Sequence, residues 1–460
     1  HDVHIASKDS GSLLLGGLKG RNISISAVNK VELKEADDKA AQLTAEETTN
    51  ITSSDGSIAL TNGAITAKTV NLSAKNGITQ SESGSIKSNT LSVKSDGAVS
   101  LLGTQNRFPV LTMAGLSSDM VGGSVHIVNT GAMTVADLAA AGNVTIMQKG
   151  ALTTGAVKTV KAGAATGDVR LHTDDKLTVR GDMDAAGSAE LTAEQDIVLK
   201  KAVKTGKDLT ATATGSLTAA NVEAGDAATL TAGTKLTAQN VTAKGDAVLH
   251  AGTDLTALNV AAGKDAALTA EKNLSAHDVT ANGIANLTAG YDATISGTVT
   301  TGGNANLTVK HDAVIGGAVD AGGDFKANAS NDLTVNGAVT AQKNLTVYTG
   351  RDLTVNGAVL SRGMTTIEAG RDVRLNGSLT SDKNLAITAK NSIITKEGAD
   401  LYTKADGYLK AHTAALGGNV KADGTLTIET DETLSVKNVT AGKAATLKAG
   451  TDLKAANVTA

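Results

Sequence analysis

Apolar residues alternate along this chain in short runs, and the runs themselves recur. One apolar slot can be followed through Leu236, Leu255, Leu274, Ala293, Ala313, Leu333, Leu353, Val373 and Ile393, with the interval constant as far as Ala293 and one position longer beyond it. Within a repeat, Leu333 and Val335 alternate, Val339 follows a short turn, and Leu345 and Val347 come next before the slot returns at Leu353. Two-residue alternation is strand spacing with one face buried, and no stretch keeps a helical apolar period. Self-similarity at a fixed period of about 20 residues marks a repeat architecture. The pattern predicts an all-β parallel β-helix, a solenoid with coils of ~19–20 residues and three short strands per coil.

Two details sharpen that prediction. Volumes compensate within a layer: Leu274 with Ala276 gives way to Ala293 with Ile295, and Phe325 accompanies Ala327 where Ala305 accompanies Leu307. Such exchange suits a narrow interior packed to protein density. The longer coils carry their extra residue in the first turn, where Val-Asn-Gly-Ala-Val and Ile-Ser-Gly-Thr-Val occur. Glycine there is expected to supply a backbone conformation that other residues dislike.

The repeats are not uniform. They predict irregular coils over 1–102, a loop or extra-helical insertion over 103–124, regular coils over 125–395, an irregular coil over 396–413, and repeats still running over 414–460. Ile58 with Leu60, Ile78, and Val99 with Leu101 read as coil openings. The charged run 32–39 reads as a solvated loop. Pro109, the only proline, places 103–124 off the ladder, since proline is kept out of sheet interiors. The step from the coil opening at Leu152 to the next at Leu177 exceeds the period, which places an insertion of six within 158–167. The chain begins at His1 without a basic, apolar, small-residue leader. It reads as a mature or excised segment whose export signal lies upstream.

Composition removes several functions. A net charge of −4 and a pI near 6.1 leave no basic stripe for nucleic acid. No cysteine is present, so disulfides and thiolate metal sites are excluded, and no apolar run is long enough for membrane insertion as a helix. The eight histidines are scattered without local ligand spacing, so neither a metal site nor a cofactor is expected.

Asp-Leu-Thr-Val-Asn-Gly-Ala-Val at 332–339 and 352–359, Asn-Leu-Thr-Val at 344–347, Ala-Gly-Gly-Asp at 321–324 and Leu-Thr-Ala-Gly at 230–233 and 287–290 resemble the filamentous haemagglutinin repeats of bacterial two-partner-secreted exoproteins. The resemblance covers most of the chain and is strongest over 125–460. It implies a right-handed β-helix shaft, export through an outer-membrane secretion partner, a place in the medium or on the bacterial outer surface, and adhesion to a host or bacterial cell-surface receptor. Shafts of contact-dependent growth-inhibition exoproteins are similar and remain an alternative. The secretion domain of that family carries Asn-Pro motifs. Here the one proline stands in Arg-Phe-Pro-Val, so that domain is absent from this segment.

Arg180, Gly181 and Asp182 form an Arg-Gly-Asp triplet in the first turn of a coil. They read either as an integrin-type adhesion contact or as one more x-Gly-x turn. Asp168, Arg170, His172, Asp174, Asp175, Asp182 and Asp184 are the one enzyme-like concentration, of the kind that β-helix enzymes acting on acidic polysaccharides use. Charge runs are usually solvated faces, and the short turns offer no walls for a groove, so no catalytic residues are assigned and the chain is expected not to be an enzyme. The column Thr218, Thr237, Thr256, Ser275, Thr294, Thr334 and Thr354 reads as a β-propensity ladder.

Overall fold

The computed structural model describes residues 1–8, 11–34 and 41–460. The expected loop over 32–39 therefore lies mostly outside the described residues. The chain forms two compact units, His1–Thr234 and Lys235–Ala460. Each is a parallel β-solenoid of roughly 20-residue coils, and among the described residues there is no helix, hence none able to cross a membrane.

In the second unit a coil has three arms. Leu333–Val335, Val339–Ala341 and Leu345–Thr349 make up one coil, and each pairs in parallel register with its counterpart in the next. Leu333 lies opposite Leu353, and Leu353 opposite Val373, with all three essentially inaccessible to water. The volume exchange read from the sequence is realised in register: Leu274, Ala293, Ala313 and Leu333 form one column, and Ala276, Ile295, Ile315 and Val335 the column beside it. Phe325 sits between Ala305 and Leu345. From Thr237 to Thr354 the outward Thr column also stacks, interrupted by Val314.

The extra residue of the longer coils falls where expected. Leu274–Ala281 runs through the first two arms as one strand, and in the following coil it pairs with two strands, Ala293–Ile295 and Val299–Thr301. The role expected of the turn glycine needs correction. Gly337, Gly357 and Gly377 have no φ in the left-handed region; instead, a Cβ on Gly357 would collide with the Gly337 carbonyl. The constraint is the closeness of successive backbones, which leaves no room for a side chain between turns.

The first unit shows the same three arms with more variable turns. Ile58, Ile78, Val99 and Val125 do stack, but in the third-arm sheet and not at coil openings. The opening arms of these coils lie elsewhere, for instance at Ala64–Thr66 and Ser85–Lys87. The inserted segment is present at 160–168, between Val157–Thr159 and Val169–Thr173, with Gly163 and Gly167 in the left-handed region. Residues 396–400 lengthen one turn in the second unit in the same manner, with Gly398 at φ 78°.

Residues 103–124 are not an excursion from the solenoid. Val110–Ala114 pairs with strands on both sides, Met120–Val121 pairs with the next coil, and Phe108 is wholly buried. Pro109 sits just before the strand, where it has no ladder N–H to forfeit, and its carbonyl still accepts the amide of Thr134. A buried amide ladder holds this coil. The Asn106 side chain accepts from the Ile86 amide at 2.8 Å and donates to Gln80 Oε1 at 2.8 Å and to the Val128 carbonyl at 3.1 Å, while Gln80 Nε2 donates back to Asn106 Oδ1 at 2.9 Å. Asn129 continues the ladder by accepting from the Phe108 amide and donating to Gln148. Both donors and both lone pairs of Asn106 are thereby used, which is what permits so polar a group inside the core.

The columns make two substitutions informative. Leu353→Ala removes a fully buried layer and is expected to destabilise the unit by about 2–5 kcal/mol, whereas Val314→Ala on the outer face stays within about 0.5 kcal/mol, both read from urea midpoints. Gly357→Ala is expected to lower the midpoint as well, although at a φ outside the left-handed region alanine would ordinarily stabilise by restricting the unfolded chain. An unchanged midpoint would show that the coils can separate locally at no cost.

Candidate functional site

The surface chemistry of this fold is set by its turns. Because each coil lies on the last, a turn side chain can hydrogen-bond the same turn one coil further on. Aspartate and asparagine do this repeatedly. In the turn before the first arm of the second unit, the Oδ1 atoms of Asp292, Asp312, Asp332 and Asp352 accept the backbone amides of Asp312, Asp332, Asp352 and Asp372 at 3.0–3.2 Å, and Asp372 accepts that of Ser392. Elsewhere Asn336, Asn356 and Asn376 form an amide ladder with side-chain bonds of 2.7 and 2.6 Å.

The aspartate column stacks five like charges at roughly the 4.8 Å strand spacing, which is unfavourable unless cations intervene. They come from the turn of the following coil. Arg351 lies 3.6 Å from Asp332, and Arg371 makes a two-pronged contact with Asp352. The Arg371 guanidinium holds the Asp352 carboxyl below its ordinary range, and Arg371 is raised in return. At Asp372, burial opposes the charge, but hydrogen bonds from Ser392, Asn391 and Arg374 outweigh it and leave the pKa lowered.

In the first unit, Arg180 and Asp182 are exposed in the turn between Leu177–Val179 and Met183–Ala185. Two of the three motif residues have structural work there. A Cβ on Gly181 would collide with the Ala156 backbone, and Asp182 Oδ1 accepts the Ala202 amide at 3.2 Å, as Asp137 does for Ala156 and Asp278 for Thr298. The Arg180 amide donates to the Thr154 carbonyl, but among the described residues its side chain makes no hydrogen bond or ion pair.

The enzyme-like concentration does not converge. Asp174 and Asp175 border one depression of about 590 Å³ with Lys176 and Asp196, while Asp168 and Arg170 border another of about 270 Å³ with Glu190. Asp182 and Asp184 border neither. Arg170 pairs with Glu190, Asp168 accepts the Ser188 amide at 2.8 Å, and Asp174 accepts the Gly150 amide at 2.5 Å, so these carboxylates serve the coil-to-coil ladder.

Local spacing along the chain did not reveal the one group among the described residues in which metal-ligating atoms converge. Asp292, His311 and Asp312 offer donor atoms all within 4.8 Å of one another. Asp292 and Asp312 stand a full coil apart in sequence, so the signal is legible only once the coil period is used to align the turns. The same register places the Tyr291 ring on the imidazole of His311, with centroids 4.3 Å apart and planes 8° from parallel.

Residues 322–386 match a family described as repeats of unknown function (DUF5649), a stretch that includes Asp332, Asp352, Arg371 and Asp372. The chain has no significant match to a curated protein or to a solved structure. What is established is therefore a β-helical repeat protein.

The buried end of the column can be tested by pH. A carboxyl whose folded pKa is depressed contributes stability above its unfolded pKa of about 3.9 and loses it as pH falls through the folded value. Asp372→Asn is expected to lose about 1–3 kcal/mol at pH 7, and its stability should fall less steeply than the wild type's below about pH 4, read from urea midpoints across pH. A variant as acid-sensitive as the wild type would show that this carboxylate contributes nothing.

Proposed function

We propose that the chain is a structural shaft segment of a large secreted bacterial surface adhesin, displaying polar turns to a host or bacterial cell-surface receptor. The observation that carries this reading is the stacking of the buried columns from coil to coil: nearly every inward residue is spent on stacking one coil on the next, and the chemistry is left to short exposed turns. The resemblance to filamentous haemagglutinin repeats supports the same reading. By that resemblance, export passes through an outer-membrane partner that recognises a domain outside this segment, and the shaft lies in the medium or on the outer cell surface. Asp168, Asp174 and Asp182, each accepting an amide of a neighbouring coil, favour a scaffold over a polysaccharide-cleaving enzyme.

The test is attachment. Beads coated with the chain are expected to bind epithelial or bacterial cells several-fold above beads coated with albumin, and binding no better than albumin would remove the adhesin reading. Arg180→Ala distinguishes the two readings of the Arg-Gly-Asp turn without disturbing Gly181 or Asp182. Attachment is expected to be unchanged, because glycine and aspartate recur in such turns for the structural reasons given above. A marked fall would assign the turn to receptor contact.

A further inference from the structure

The aspartate column contains an internal comparison. One residue position, occupied in successive coils by His311, Asn331, Arg351, Arg371 and Asn391, follows the column through backbone hydrogen bonds from coil to coil. Where arginine fills it, a guanidinium faces the carboxylate of the coil before, as Arg351 does Asp332 and Arg371 does Asp352. Asn391 donates to Asp372 at 2.7 Å. At Asp312 the pattern fails: Asn331 makes no hydrogen bond to it, and among the described residues the one cationic or imidazole group beside it is His311, whose Nδ1 lies 3.4 Å from Asp312 Oδ2. That same Nδ1 lies 2.7 Å from Asp292 Oδ1. Two carboxylates thus share a single imidazole, in the place where later coils put a fixed positive charge.

A guanidinium has no lone pair and can only donate, whereas an imidazole nitrogen can ligate a metal. We propose that Asp292, His311 and Asp312 form a binding site for a first-row divalent cation of the zinc type, bridging two successive coils. The donor set is mixed nitrogen and oxygen, which suits zinc better than calcium, whose sites take six or more oxygens. Donor atoms around a tetrahedral zinc with bonds of about 2.0–2.1 Å lie ~3.4 Å apart, close to the His311–Asp312 separation. The shorter Asp292 contact is a hydrogen bond that the ion replaces. Stacking on Tyr291 fixes the plane of the imidazole, and the coil ladder fixes both carboxylates, because each aspartate has an oxygen committed to the amide of the next coil. Little reorganisation is then needed on binding. The site is partly exposed, so one or more positions on the ion remain open to water or to a ligand from outside.

The proposal is independent of the adhesin reading and is tested by calorimetric titration of Zn²⁺ into the chelator-dialysed chain. Wild type is expected to bind one equivalent that His311→Asn and His311→Arg both lack, and Asp312→Asn is expected to bind at least about tenfold more weakly. Ca²⁺ at the same concentration is expected not to displace the zinc. His311→Arg copies the coils of Arg351 and Arg371, so it should keep the wild-type circular dichroism and melting temperature in the absence of metal, which separates loss of the site from loss of the fold. No binding by wild type would overturn the proposal. So would equal stoichiometry and affinity in wild type and both His311 variants, which would place the ion elsewhere, for instance at His1 and His4.

Discussion

Everything in this protein depends on the coil-to-coil hydrogen-bond ladder. Each coil's strand amides and carbonyls find partners in the coils before and after it, so a coil has no complete hydrogen-bond set of its own. Register is therefore compulsory. A slip of one residue would turn each inward side chain outward and would strip the amide from each capping aspartate. The inward Leu333, Leu353 and Val373 column and the Asp332, Asp352 and Asp372 column in the turn before it are two readings of one constraint.

That constraint explains which residue types recur. Inside, space is fixed by neighbouring coils, so Leu with Ala can be traded for Ala with Ile, provided the layer's volume is kept. In the turns the backbones approach so closely that Gly357 has room only for hydrogen. Just outside, a short side chain ending in an oxygen can reach the next amide, and aspartate and asparagine do so throughout the chain. The polar interior of the first unit obeys the same rule. Asn106 and Gln80 are tolerated in the core because their amides are satisfied by residues of adjacent coils and by each other.

Much of this was legible in the sequence because the period converts directly into contact. The step from Leu333 to Leu353, the extra residue before Val299, and the insertion within 158–167 all reappear in the strand register. Besides the turn glycine, two readings went astray for identifiable reasons. A pair of alternating apolar residues looks the same in each arm, so Ile58, Ile78 and Val99 stacked as expected but in the third arm. The coil over 103–124 was hidden because proline, phenylalanine and methionine broke the repeat pattern. The groups that keep that coil in the core, Asn106 and Asn129, are polar and carry no hydrophobic signal.

The candidate site was illegible for a different reason, and the reason bears on how such chains acquire chemistry. In a helix or a hairpin, ligands gather within a few residues of one another and leave a motif. In a solenoid, neighbours in space stand a whole coil apart in sequence, and motif searches that run along the chain see only isolated histidines. The turn columns of the second unit are thus strings of equivalent places in which one substitution changes the charge or the ligating power without altering the register. Arg371, Asn391 and His311 occupy the same place on the same backbone, yet they offer an aspartate a fixed cation, a neutral donor and a metal-binding nitrogen in turn. Because the ladder and the core are maintained by other atoms, such exchanges carry little structural penalty. On this fold, differences between coils at one turn position carry more functional information than the repeat that the coils share.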